Sequence, residues 1–436
     1  MAWAARFELR QYLKGSLWVL PLLGGLLGAG LAQVTLLVDD SVRLPSVLAY
    51  SASTASGVLT AIVGAMVALI GFVVTIGVVV VQQATGTLSP RYMRLWYRDR
   101  LQKAVLATFA GTFTFAYSLL RRVEDDHVPD VGVTTAGIAV AASIGLLLIY
   151  LDRFTHNLRP VAVAALVGRS GQEVLAGRSP QFRGHDARPA ALPDTAAPIQ
   201  VVRADRAGCV QAVDLATMLT VAQRHDSTIV LARSVGDFVT PGTPLVEVHG
   251  AALPAGGKQL RGLFALGRER TIEQDPAFAL RILVDIAVKA LSPAINDPTT
   301  AVQVLDHIEA FVEVAARTEL HNRYALSGRD GTVRVVLPGR GWADYLELAV
   351  TEIRDYGATS TQVCRRLRAL LDGLLATVPP TRQSAVRDEL CRLDAAVEAA
   401  FPDPVARSRA SGSDRQGIGG SRPGQRMTGH PPGRRP

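Results

Sequence analysis

The sequence predicts a membrane protein of the α-helical class, with four transmembrane helices followed by a cytoplasmic α+β region. Four apolar stretches each come near the roughly 20 residues that a bilayer crossing requires, and none of them contains Asp, Glu, Lys, Arg or His. They are 17–38, 58–81, 104–120 and 131–151. After the fourth stretch the pattern changes to short β-like runs and then to helical periodicity, which predicts a small β segment and a helical part.

Composition divides the 436 residues into five predicted parts. They are a four-helix transmembrane domain (1–160), a linker (161–198), a small β-rich domain (199–250), a mostly helical cytoplasmic domain (251–402) and a disordered basic tail (403–436). The tail is rich in Gly, Ser, Pro and Arg and has almost no apolar side chain to bury, which is typical of disorder. The three cysteines are odd in number and widely spaced, and they fit a reducing cytosol.

The charges of the short loops predict the orientation of the spans. The N-terminal segment carries Arg6, Arg10 and Lys14, and the loop between the second and third spans is basic. The other two loops hold most of the acidic residues near the spans, including Asp39 and Asp130. This alternation predicts a multi-pass membrane protein with both termini in the cytoplasm.

The basic loop after the second span contains a predicted short helix that begins at Ser89-Pro90. It carries Arg91, Arg94 and Arg98 at helical spacing, beside aromatic residues. These arginines are candidate contacts for a lipid headgroup or another phosphate ligand. The alternative is a helix that only anchors the protein at the membrane surface.

A second basic segment, 267–275, precedes a predicted helix of the soluble region. Arg268 and Arg270 are its candidate contacts for an anionic ligand, because helix starts attract anions. The alternative is a solvated loop with salt bridges.

Small residues recur along the spans. Gly24 and Gly28 form a GxxxG pattern in the first span, and Gly57, Gly64 and Gly71 repeat every seven residues in the second. Small residues let helices approach closely in lipid. The repeat predicts a helix-packing face, which serves either packing within one chain or contact with the same span of other copies in a homo-oligomer.

The β-rich segment resembles half of a biotinyl/lipoyl-like barrel over about fifty residues. Its "GDFVTPGTPLVEV" places turns at Gly236 and Gly242 and points Val239, Leu245 and Val248 inward. The lysine that carries the cofactor in such barrels has no counterpart here. The segment is therefore predicted to be a barrel-sandwich-like scaffold without a cofactor.

Two helices of the soluble region begin alike, at Asp275-Pro276 and Asp297-Pro298, with "SPAIN" as the turn between them. Asp at the N-cap followed by Pro at the first helical position marks a helix start. Asp275 and Asp297 are therefore predicted to be helix caps. The first helix is apolar nearly all round, apart from one charged stripe, which predicts a central position or an interface.

The second of these helices carries Asp306, His307, Glu309 and Glu313 close together. No second cluster of ligands accompanies them, so they are interpreted as a solvated charged face and no metal site is predicted. The sequence contains no HExxH, GxSxG, CxxC or complete phosphate-binding loop. We therefore predict no catalytic residues, no cofactor and no enzymatic activity, and no nucleic-acid partner.

Several motifs together resemble an uncharacterised bacterial membrane-protein family, domain of unknown function 2254. They are "LSPRYMRLWYRDR", "AGCVQAVD", "VGDFVTPGTPLVEV" and "GRERTIEQDPAFALRILVDIAVKALSPAINDPTTAVQVLD". The resemblance implies an inner-membrane protein with four N-terminal spans and no assigned activity. Two functions stay open: an oligomeric pore or transporter with a cytoplasmic gating domain, or a membrane-anchored cytoplasmic sensor or scaffold. The expected partners are the lipid bilayer with its anionic headgroups and further copies of the chain.

Overall fold

The computed structural model describes residues 3–39, 49–87, 99–124, 128–157, 159–177, 187–189, 197–253 and 257–419. The chain divides into two compact units. The first comprises Met1–Leu166 and Thr195–Arg270, and the second comprises Val167–Asp194 and Thr271–Pro436. The apolar helices and the β-rich segment belong to the first unit.

The first unit begins with one short helix and four long apolar helices. They are α1 (Trp3–Gly15), α2 (Val19–Asp39), α3 (Ala52–Thr87), α4 (Arg100–Leu120) and α5 (Asp130–Asn157). Helices α2 to α5 are long and apolar enough to cross a membrane, which confirms the four predicted spans. Helix α3 is longer than predicted. Its 36 residues extend about 54 Å, whereas the apolar core of a bilayer is roughly 30 Å thick.

Helix α4 makes the most extensive contacts in the four-helix packing, with α2, α3 and α5. The helices share one apolar core, which contains five bulky side chains that are almost completely buried. They are Leu59, Met66, Phe109, Phe115 and Leu119. Each is at most 2% exposed, so side chains fill the interior of the described bundle.

Two acidic residues of the predicted outer loops bind helix starts. Asp39, at the end of α2, accepts a hydrogen bond from the backbone N–H of Val131 at 2.9 Å. Asp130, at the start of α5, accepts one from the N–H of Tyr50 at 2.9 Å. A carboxylate at a helix N-terminus satisfies free N–H groups and complements the helix dipole. These bonds tie together the ends of the spans on that side.

The β-rich segment of the first unit extends to Gly267, past the predicted boundary at residue 250, and contains short antiparallel strands and two helices. Strands β2 (Gln200–Arg203), β6 (Pro244–Gly250) and β4 (Ser227–Leu231) pair in that spatial order, as do β5 (Phe238–Val239), β3 (Gly208–Val213) and β7 (Phe264–Gly267). The helices are α7 (Leu215–Arg224) and α8 (Lys258–Arg261). The predicted mixture of helices and strands after the spans is thereby confirmed.

The turns and inward positions that the sequence indicated for this segment have the expected geometry. Gly236 and Gly242 have φ angles of +98° and +86°, which side chains disfavour. Val239, Leu245 and Val248 are buried. The likeness to a barrel sandwich stays a prediction.

The second unit combines three strands with a helical core. Strand β8 (Arg323–Ser327) pairs with both β1 (Ala187–Pro189) and β9 (Val333–Pro338). The helices after the β-rich segment are α9 (Pro276–Ala290), α10 (Pro298–Arg317), α11 (Trp342–Gly357), α12 (Thr361–Thr377), α13 (Pro380–Ala400) and α14 (Pro404–Ala410). Helix α9 packs on both α10 and α11 and is buried on nearly every side, which confirms its predicted central position.

The predicted linker 161–198 is wrong in its first part, because α6 (Pro160–Leu175) occupies it. A Cβ atom added to Gly171 would lie 2.5 Å from the Cβ of Ala279 and 2.7 Å from the Phe311 ring. Gly168 likewise lies against His307 of the same unit. These glycines permit close helix packing, so their presence did not mark a flexible connection.

The predicted disordered tail also begins too early. Asp403 caps α14 by accepting from the N–H of Ala406 at 2.8 Å, and Ala410 is fully buried. Asp414 then accepts from the N–H of Gly419 at 2.6 Å. These local hydrogen bonds and one buried contact order residues that composition alone assigned to the tail. The rest of the tail, 420–436, lies outside the described residues.

Candidate functional site

The first and third spans approach each other through their smallest residues. A Cβ atom on Gly24 would overlap the carbonyl oxygen of Ala107, and one on Gly28 would overlap that of Gly111. The hydroxyl of Thr114 donates to the carbonyl oxygen of Gly25 at 2.7 Å. The GxxxG pattern of the first span thus packs against α4 within one protomer.

The glycine repeat of the second span has a different environment. Gly57, Gly64 and Gly71 each have no atom within 4 Å of a Cβ added to them, among the contacts that the structure describes. All three are exposed. The alternative that this glycine face packs within one chain is therefore wrong for the described residues, and the glycines of the first span contact α4 instead.

The exposed face of α3 continues between the glycines. Ala61, Ala68 and Thr75 each follow a glycine by four residues, and all are exposed. The resulting spacing of four and three residues is that of a helix-packing seam. We call Gly57, Ala61, Gly64, Ala68, Gly71 and Thr75 the small-residue seam. It lies opposite the buried side of α3, which carries Ala55, Leu59, Ile62, Met66 and Val73.

The structure describes only two of the basic residues that were predicted to contact anions. Arg91, Arg94 and Arg98 lie outside the described residues. Arg268 is exposed directly after β7, and Arg270 is half-buried. Neither observation identifies a ligand, so their role stays a prediction.

The two aspartates at the helix starts hold backbone N–H groups. Asp275 accepts from the N–H of Phe278 at 3.1 Å. Asp297 accepts from the N–H of Thr300 at 3.0 Å and from its hydroxyl at 2.5 Å. Since a carboxylate of the chain already occupies the first turn of α9, that helix start offers an external anion little attraction.

The charged face of α10 is not only a solvated surface. Arg366 of α12 is 2% exposed, and its guanidinium binds Asp306 at 3.0 Å and also Glu309. Asp306 is 56% exposed and Glu309 is 15% exposed. A signal for this cluster exists in the sequence. Arg366 falls three residues after Val363 and four before Leu370, on the apolar side of α12, where a buried arginine needs carboxylate partners.

A second ion-pair cluster joins α9 to α11. Arg281 donates to Asp285 at 2.6 Å and to Glu352 at 2.6 Å through a second nitrogen. The hydrogen bond to Glu352 is the largest cause that raises the pKa of Arg281, and burial opposes it. The charged stripe predicted on α9 is real, but its partner on α11 was not predicted.

The described acidic and histidine side chains form no evident metal centre. No group of three or more His, Cys, Asp or Glu that could hold a metal ion occurs among the described residues. Burial lowers the pKa of His307, although Asp306 acts in the opposite direction. The clusters around Arg366 and Arg281 join helices through ion pairs.

These features define a class: a membrane protein of four apolar helices with an additional α-helical and β-stranded region. Within that class, the chain belongs to the family described as "Predicted membrane protein (DUF2254)", whose model matches residues 14–373. This confirms the resemblance seen in the sequence motifs.

Relatives of known sequence occur in mycobacteria. Uncharacterised proteins of Mycobacterium bovis and of Mycobacterium tuberculosis are each 31% identical to this chain over 424 residues, covering 94% of this chain and 81% of the relative. No solved structure matches the chain.

Proposed function

We propose that the protein is an oligomeric pore or transporter of the bacterial inner membrane, with a cytoplasmic region that regulates it. The observation that carries the proposal is the small-residue seam of α3, which is exposed along its whole length. Three successive small-xxx-small pairs on one face favour close approach of another helix in lipid. The second span of another copy presents the same face and would fit it.

The packing within one protomer favours a path between copies. Bulky apolar side chains such as Leu59, Met66 and Phe109 fill the described interior of the four-helix bundle. A pore would therefore lie around the axis that several copies share, where α3 would line or border it.

The chemistry of the spans narrows the type of transport. The four apolar stretches contain no Asp, Glu, Lys, Arg or His, whereas proton relays, voltage sensors and ion-coupled carriers use ionisable groups in the membrane. A wide pore or one gated by dewetting of an apolar constriction needs no such group. We therefore propose a pore of that kind.

The alternative function is a membrane-anchored cytoplasmic sensor or scaffold. It is favoured by the composition of the seam, in which Thr75 is the only polar side chain. Even that hydroxyl donates to the carbonyl oxygen of Gly71 at 2.9 Å. If the seam only joined copies, this lack of polar lining would be expected.

The test combines disulfide crosslinking between copies of the chain with a measurement of dye release through the protein. Single cysteines at position 64 or 68, in a background without the three native cysteines, should form disulfides between copies in native membranes. A cysteine at position 148 is the matched control, because Leu148 is exposed on α5. Liposomes containing the protein should release a small dye, and Gly64→Leu should abolish both this release and the crosslink at position 68.

The outcomes separate the alternatives. A wild-type particle that stays monomeric, with no crosslink at either position, contradicts the pore. Crosslinks at the seam without any flux of ions or dyes favour the scaffold.

A further inference from the structure

Helix α1 is attached along one side to the β-rich segment of its own unit. Ala4 packs in a small apolar cluster with Ala212 and Ala265, and the stacked rings of Trp3 and Phe7 lie against that cluster. This side of the helix is therefore occupied by protein.

Polar contacts strengthen the attachment. The backbone N–H of Ala4 donates to the carbonyl oxygen of Gly262 at 3.2 Å. Glu8 forms an ion pair with Arg206, and Arg206 also donates to the carbonyl oxygen of Leu266 at 3.2 Å. The contacts extend from Ala4 to Glu8, so they hold the first half of the helix.

The other end of α1 is held by the transmembrane bundle. Lys103 lies in the first turn of α4 and is only 4% exposed. Its ammonium group donates to the carbonyl oxygen of Lys14 at 2.5 Å, where the negative end of the helix dipole favours a cation. The first span begins at Val19, only four residues after Gly15, a reach of about 14 Å at most. Helix α1 must therefore lie where the first and third spans leave the apolar layer.

The surface of α1 that faces away from the β-rich segment is apolar. Leu9 is 46% exposed, Tyr12 is 58% exposed and Leu13 is 41% exposed. Their spacing of three and four residues puts them on one stripe. Trp18, in the turn between α1 and α2, is also exposed. Tryptophan and tyrosine with leucine are typical of helices at the membrane surface.

A basic stripe runs beside the apolar one. Arg6, Arg10 and Lys14 follow each other at four-residue intervals, so they share one side of the helix. All three are exposed. The helix thus has three sides: one on protein, one apolar and one basic.

We infer that α1 is a lipid-contacting helix, whose basic stripe binds anionic headgroups while Leu9, Tyr12 and Leu13 enter the boundary of the acyl chains. Because its third side holds the β-rich segment, α1 couples the position of that segment to the lipid surface. The inference does not depend on a pore, since it concerns a different helix from the small-residue seam.

Charge favours lipid over a second copy of the chain as the occupant. Two basic stripes would repel each other, whereas the anionic leaflet attracts them. An apolar stripe adjoining a basic one is also the arrangement of helices that lie in the membrane interface. The short distances to α2 and α4 place this surface beside the bilayer in any case.

The experiment uses the full-length protein in nanodiscs, with an environment-sensitive fluorophore on a single cysteine at position 9. The nanodiscs contain phosphatidylcholine alone or mixed with phosphatidylglycerol, and trace lipids with a doxyl quencher on the acyl chain. We expect doxyl quenching and protection from aqueous iodide, both stronger in the anionic mixture at low salt.

The variant that tests the basic stripe replaces Arg6, Arg10 and Lys14 by Gln. Each basic residue near an anionic surface contributes about 1 kcal/mol, or roughly five-fold. The preference of α1 for the surface of the anionic mixture over that of phosphatidylcholine should therefore fall by on the order of 100-fold. Replacing the two arginines by Lys keeps the charge and should keep the preference. Arg224→Gln is the matched control, because Arg224 is exposed on α7 of the same unit.

Three results would overturn the inference. One is a fluorophore that iodide reaches equally in both lipid mixtures and that doxyl lipids do not quench. Another is doxyl quenching that changes neither with lipid charge nor with the triple substitution. The third is protection that follows the protein-to-lipid ratio, which would indicate a second copy on this face. None of these results bears on crosslinking at position 64, so the proposed pore is tested separately.

Discussion

The carbonyl oxygen of Ala107 occupies the place that a side chain at Gly24 would need. One turn further along, Gly28 has the same relation to Gly111. Gly64 of the second span has no described atom within 4 Å of an added Cβ. The glycines of the first span therefore complete a helix contact inside one protomer. The glycine of the second span has no such neighbour among the described residues.

This difference predicts opposite effects of glycine substitutions. Gly28→Leu should destabilise each protomer by about 1–3 kcal/mol or more, because overpacking forces the backbones of α2 and α4 apart. Gly64→Leu should leave the protomer intact and reduce the number of subunits. Thermal unfolding in detergent at dilutions where wild type is monomeric measures the first effect, and light scattering at high concentration measures the second. Equal loss of protomer stability in both variants would contradict the assignment.

The helix caps predict a graded series of stabilities. Asp275→Ala and Asp297→Ala should each cost about 0.5–2 kcal/mol, because the N–H groups of Phe278 and Thr300 lose their acceptors. Replacement of either Asp by Ser should restore most of the loss. Chemical denaturation of the full-length protein measures these differences. If Asp297→Ser kept full stability and still abolished flux, capping alone would not explain that residue.

The ion pairs of α12 with α10 predict that breaking the buried pair costs more stability than replacing it by apolar side chains. Glu309→Gln should cost about 3 kcal/mol, because it leaves the buried guanidinium of Arg366 with only the exposed Asp306. The double replacement of Arg366 by Met and Glu309 by Leu should cost less, since apolar side chains then replace the whole buried pair. Hydrogen exchange of the amides in α10 and α12 reports both changes.

The control for that pair is Glu313→Gln. Glu313 pairs with Arg317 at 3.7 Å on the exposed surface of the same helix, where an ion pair contributes about 1 kcal/mol or less. If Glu313→Gln and Glu309→Gln had equal effects, the buried cluster would not stabilise the unit.

The cysteines predict a pH-dependent labelling pattern. Burial raises the pKa of the Cys364 thiol from 9.0 to about 11, and its sulfur donates to the carbonyl oxygen of Ala358 at 3.3 Å. Cys391 is exposed. A maleimide should label Cys391 near pH 7 and leave Cys364 unmodified.

The raised pKa of Cys364 also makes the stability of the folded protein depend on pH. The folded state keeps the Cys364 thiol protonated, so its contribution is complete below pH 9 and is lost as the pH rises from 9 toward about 11. Cys364→Ala should therefore flatten the fall in stability over that range, relative to Cys391→Ala. Rapid labelling of Cys364 in the folded protein at pH 7 would contradict its buried position.

The proposed topology predicts which positions an impermeant reagent reaches from outside the cell. A cysteine in place of the exposed Glu124 should react with an impermeant maleimide added to intact cells. A cysteine in place of Arg224, in the β-rich segment, should react only after lysis. Labelling of position 224 from outside would place that segment on the other side of the membrane and would reverse the orientation.

Sequence alone identified the elements whose causes are local. Span length and the absence of charge follow from composition, because a bilayer crossing requires a continuous apolar stretch. The starts of α9 and α10 follow from Asp-Pro, since capping acts within three residues. The turns at Gly236 and Gly242 follow from the same short-range chemistry.

Tertiary structure decided the contacts between distant residues. The glycines of α6 suggested a linker because composition does not distinguish a flexible glycine from one packed against Phe311. Arg366 finds its carboxylates 57 and 60 residues away, and Glu8 pairs with Arg206 across 198 residues. A repeat such as Gly57, Gly64 and Gly71 defines a face by its period, but only the packing of the other three spans shows that this face is left without a neighbour inside the described protomer. Period is a property of one helix, whereas burial depends on where the other helices lie.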